Sequence, residues 1–91
     1  AGRVTFEARN AGTLSHELVI VRTDAAPDAL PVRNGKVEED APGLTVAGEI
    51  EEFAPGRTER GSFRLEAGSY VLICNIAGHY ENGMRTAFRV T

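Results

Sequence analysis

From Arg3 to Asn10 the chain alternates, with Val4, Phe6 and Ala8 on one face and Arg3, Thr5, Glu7 and Arg9 on the other. A two-residue period belongs to a strand with one wet face, and apolar residues at helical spacing are nearly absent elsewhere. This pattern confines the chain to all-β architectures. Asn10-Ala11-Gly12 closes the first run with turn chemistry, and Leu18-Val19-Ile20-Val21 follows as a short β-branched run, the mark of a more deeply buried strand. From Thr23 to Gly43 the signals turn irregular, with Pro27, Pro31 and Pro42 and a turn at Asn34-Gly35; a helical turn is expected at Lys36 to Asp40. Thr45 to Glu52 reads as a strand with Val46 and Ile50 inward, and Ala54-Pro55-Gly56 as a turn. Ser62 to Glu66 places Phe63 and Leu65 inward, and Ala67-Gly68 leads into Tyr70-Val71-Leu72-Ile73-Cys74. A last strand, Arg85 to Thr91, turns Phe88 and Val90 inward. Many short strands joined by Gly- and Pro-rich turns indicate a sandwich or Greek-key barrel.

The length of 91 residues makes one domain, residues 1–91. A chain this short buries roughly 60% of its unfolded surface, so a metal tying distant segments together would matter to its stability. No run approaches the roughly 20 apolar residues that span a bilayer, and a formal charge of −3 without a basic tract argues against nucleic acid. Glu38, Glu39, Asp40, Glu49, Glu51, Glu52 and Glu59 stand against Arg57 alone in the stretch from Val37 to Glu59. They read as a solvated face or as a docking patch for a cationic partner. The chain starts at Ala1 with no Met and no signal sequence, as either a mature, processed form or a recombinant piece would, and its single cysteine excludes an internal disulfide.

That cysteine is Cys74, the only methionine is Met84, and His79 lies between them; the second of two histidines is His16. One thiolate, two imidazoles and a thioether form the donor set of a trigonal His₂Cys copper centre with a weak axial Met. Soft sulfur suits Cu(I) and imidazole suits both oxidation states, so one geometry serves both. Structural zinc prefers Cys₄ to Cys₂His₂, and no second cysteine is present. Cys74 ends a buried strand and Met84 begins the next, so both fall at one pole, and Gly78 and Gly83 ease the loop that carries His79 back over it. His16 opens a different strand and approaches from the other side. Each residue also has a blander reading, as a buried small hydrophobe or a core gap-filler, and what separates the readings is that every Cys and Met falls in the pattern.

With these residues in view, the chain resembles the cupredoxins, the type 1 blue copper proteins. The resemblance runs from Val4-Thr5-Phe6 to Ala87-Phe88-Arg89-Val90, and is strongest in Asn10-x-Gly12-x3-His16-Glu17-Leu18, Pro55-Gly56 and Gly68-x-Tyr70-x3-Cys74-x4-His79-x4-Met84. It implies a Greek-key β-sandwich, here about six to seven strands and shortened at the N-terminus. Either the usual first hairpin has been cut from a longer chain, or the protein is naturally minimal and its open sheet edge, an association hazard, is covered by another copy or rearranged. It implies His16, Cys74 and His79 as equatorial ligands and Met84 as the axial one. It also implies a hydrogen bond between Glu17 and Asn75 that stiffens the site, and a small docking patch around the His79 edge made by Leu14, Ala77, Gly78 and Tyr80.

The expected function is one-electron transfer by a single copper ion with redox partner proteins, in the periplasm or outside the cell. Copper sequestration, delivery or sensing is the alternative. Catalysis is not expected: there is no second His cluster for a catalytic copper, and no Asp or Asn is placed to orient His79 for a Cys–His nucleophile.

Overall fold

The computed structural model describes residues 1–91 and contains eight strands and no helix. They are β1 (Gly2–Arg9), β2 (His16–Arg22), β3 (Val32–Arg33), β4 (Lys36–Val37), β5 (Thr45–Phe53), β6 (Thr58–Leu65), β7 (Gly68–Ile73) and β8 (Arg85–Val90). The central sheet has the order β5-β2-β7-β8, and β1 pairs with β6 in a second sheet; all pairings are antiparallel. The chain passes between the sheets at β1–β2, β5–β6 and β6–β7, which gives the Greek-key sandwich. The third sheet, β3–β4, adds the two short strands that raise the count from the expected six to seven to eight.

The alternations reappear as burial. Val4, Phe6 and Ala8 are half-buried while Arg3, Thr5, Glu7 and Arg9 are exposed, and Leu65 and Val90 are buried at the ends of β6 and β8. The central strands β2 and β7 are apolar on both faces because the sheet has a core on each side. Ile20 and Tyr70 join Leu65 and Val90 between the two sheets, with Val4, Phe6, Phe63, Leu72 and Phe88 against them. On the opposite face Val19, Val21, Val71 and Ile73 meet Leu30 and Val37 from the 23–44 excursion and Tyr80 from the loop after β7.

Two expectations are corrected. Residues 36–40 hold no helical turn: Lys36 and Val37 form β4, paired with Val32 and Arg33 around an Asn34-Gly35 turn whose φ values of 54° and 80° suit these two residues. Val46 points outward and is 38% exposed. The β2–β5 register slips between Ile20↔Gly48 and Val21↔Val46, and the extra β5 residue, Ala47, packs on the core in its place.

Candidate metal centre

Residues far apart in sequence converge at one pole. The Nδ1 atoms of His16 and His79 lie 3.1 Å apart, and Cys74 Sγ is 3.3 Å from His79 Nδ1 and 3.7 Å from His16 Nδ1. A triangle with these three sides has a circumradius of about 2.0 Å, the length of a metal–imidazole bond and a little under that of a metal–thiolate bond. Two ring nitrogens and a sulfur brought this close repel through their lone pairs unless a proton or cation lies between them. The donor set therefore fits copper.

The backbone explains the convergence. Cys74 directly follows β7, and its N–H donates to Met84 O (3.1 Å), while Met84 N–H donates to His79 O (3.1 Å). Successive turns hold the intervening loop, with His79 N–H on Ile76 O and Gly83 N–H on Tyr80 O, and Gly78 and Gly83 take φ of 84° and 102°. His16 is presented by the preceding turn. The buried Asn10 donates to Leu14 O (2.7 Å) and Phe53 O (3.2 Å) and accepts from Gly12 N–H (3.0 Å). Cys74 is buried and both histidines are half-buried. Met84, its side chain 37% exposed, shares with Cys74, Leu18 and Leu72 the wall of an apolar cleft of 260 Å³.

The structure redraws the surroundings of these candidate donors. Glu17 acts through its main chain, whose N–H donates to Cys74 Sγ at 3.3 Å. The side chains of Glu17 and Asn75 do not bond each other as expected; the two residues are linked instead through the Asn75 backbone, whose hydrogen bond to the Glu17 carboxyl favours its charged form. The Asn75 amide turns the other way, accepting from Val37 N–H (2.7 Å) and donating to Val37 O (3.1 Å) and Glu39 Oε2 (2.6 Å). Burial, then the neighbouring charges of Glu39 and Glu49, push the Glu17 carboxyl above its ordinary value. Tyr80 is not part of an exposed patch: it is 2% exposed, its ring packs in the core, and its hydroxyl donates to Pro27 O and accepts from Leu30 N–H. Leu14 (60% exposed) and Ala77 remain at the surface, with Gly78 half-buried. In the sequence Val37 falls in the expected helical turn and Glu39 in the acidic stretch, and neither feature points to Asn75.

A two-sheet Greek-key sandwich with two histidines and one cysteine gathered at one pole defines a cupredoxin, a protein that holds a single copper ion for electron transfer. The profile of the sulfocyanin (SoxE) domain matches residues 1–91, and the chain belongs to that family. No curated protein sequence matches it. Among solved structures it is similar to dithionite-reduced auracyanin from the photosynthetic bacterium Roseiflexus castenholzii, with a TM-score of 0.71 at 22% identity, covering 98% of this chain and 77% of that one. This likeness concerns the fold. Cupredoxin electron carriers are generally not enzymes, and no helix here is long and apolar enough to cross a membrane.

Proposed function

We propose that this chain is a one-electron carrier in which His16, Cys74 and His79 hold one copper ion and Met84 is its weak axial ligand. The observation that carries this reading is the triangle of Nδ1, Nδ1 and Sγ, whose centre lies at bonding distance from all three. Copper held there supplies a couple between Cu(II) and Cu(I). The protein's part is to keep the donors in one arrangement through both states, and the backbone bonds among Cys74, His79 and Met84 supply that constraint. The Glu17 N–H on Sγ adds a further contact that fixes where the sulfur sits.

Partners would meet the pole beside Leu14 and Ala77, a patch small enough for the brief contacts of redox proteins. The acidic groove between β5 and β6, lined by Glu49, Glu51, Glu52 and Glu59, reaches that pole through the Phe53↔His16 pairing and favours a cationic partner. The habit of cupredoxins favours a location in the periplasm or outside the cell.

The deciding experiment is a Cu(II) titration followed by visible absorption, then reduction by ascorbate. The expected result is an intense thiolate–copper band that saturates at one copper per chain, bleaches on reduction and returns on oxidation. It should vanish in Cys74→Ser and persist with an altered position in Met84→Leu. Loss of copper on reduction would instead mark a delivery protein, and absence of the band would sink the carrier reading.

A further inference from the structure

The loop that carries Cys74 and His79 is bound mainly by a part of the chain that offers no donor atom to the site. Six hydrogen bonds join residues 75–80 to the excursion between β2 and β5. Gly78 N–H donates to Gly35 O at 2.7 Å. Asn75 makes two bonds to the Val37 main chain and one to Glu39, and the Tyr80 hydroxyl bridges Pro27 O and Leu30 N–H. The β2 strand, by comparison, meets Cys74 and the loop through the His16 ring at the site, Glu17 N–H on Cys74 Sγ and the Glu17 carboxyl on the Asn75 backbone.

A hairpin with two residues in each arm is marginal alone, so β3–β4 needs anchors of its own. Val37, 3% exposed, enters the core beside Leu30 and Tyr80, and Glu38 N–H donates to Pro31 O at 2.8 Å. The clamp is thus reciprocal: Tyr80 fixes the base of the excursion, and the hairpin fixes the loop from which Tyr80 comes. Its tip is fitted to the loop backbone. A Cβ added at Gly35 would stand 3.2 Å from Gly78 N and 3.6 Å from Ala77 Cβ, at a φ of 80° that already disfavours a side chain.

We infer that the β3–β4 hairpin is the positioning element of the metal centre, holding the 74–79 ligand loop through Asn75 and the Gly35 carbonyl. Asn75 is its principal positioning residue. The amide is needed because one side chain must both accept from Val37 N–H and donate to Val37 O, which neither a carboxylate nor an alkyl group can do. This inference rests on the proposed copper site for its spectroscopic consequence only; the clamp itself is a property of the metal-free chain.

The test compares wild type, Asn75→Ala, Gly35→Ala and a core control, Leu65→Ala, chosen because Leu65 is buried between the sheets in β6. Amide hydrogen exchange of the metal-free proteins is followed at Gly78 and Val37, and the copper-loaded proteins are assayed for their visible and EPR spectra and for copper loss to a chelator. Both loop variants are expected to exchange faster at Gly78 and, when loaded, to show a displaced thiolate–copper band and copper loss faster by about 10- to 100-fold. Leu65→Ala should lower the melting temperature without moving the band. Exchange, band and copper loss in Asn75→Ala that match wild type, or merely follow Leu65→Ala, would overturn the inference. If wild type shows no thiolate–copper band, the electron-carrier reading falls, while the exchange at Gly78 still decides the clamp.

Discussion

Asn10 does at one end of the site what Asn75 does at the other. Its side chain, 2% exposed, satisfies two carbonyls and one N–H around the turn that delivers His16. Asn10→Ala strands those groups, and urea unfolding should show a loss of roughly 1–3 kcal/mol. Single residues were legible in the sequence where their chemistry was scarce: one Cys, one Met and two His leave few ways to assemble a soft-metal site. What Asn75 binds was not legible, because its partner Val37 lies 38 positions away and offers only its backbone, which leaves no trace in residue type. The same limit applied to Tyr80. A tyrosine beside a surface histidine reads as exposed, until the excursion folds over it and supplies partners for its hydroxyl.

At the scale of elements, alternation predicted the long strands well because each buries one face, and Val4/Phe6 and Phe63/Leu65 fell where the period put them. It failed at Val46, since one extra residue in β5 reverses every facing beyond it and no composition signal announces a bulge. Strands β2 and β7 lacked alternation for a physical reason: each is buried on both faces. Packing between the sheets also explains Gly48. A Cβ there would overlap the Phe63 ring from the facing strand. Gly48→Ala should therefore destabilise the protein by about 1–3 kcal/mol through overpacking. Thermal denaturation should show the loss, and Phe63→Leu in the same chain should recover part of it.

For the whole molecule, charge and size set the expectations. The acidic groove touching the pole should steer a cationic redox protein, so the bimolecular electron-transfer rate should fall as ionic strength rises. The double variant Glu51→Lys/Glu52→Lys should slow that reaction and flatten its salt dependence while leaving the visible spectrum in place. Only 17 of the 91 residues are buried, so a bound ion should count heavily in stability. Each tenfold excess of free copper over its dissociation constant should add about 1.4 kcal/mol, seen as a melting temperature that climbs with copper concentration. The two hydrophobic layers around β2 and β7 carry a consequence for biogenesis. The donors stand at the ends of strands locked by these layers and by Asn10 and Asn75, contacts that owe nothing to the ion. Copper then enters a seat already furnished, so metal insertion can follow folding as a separate event, at a different time and by a different agent.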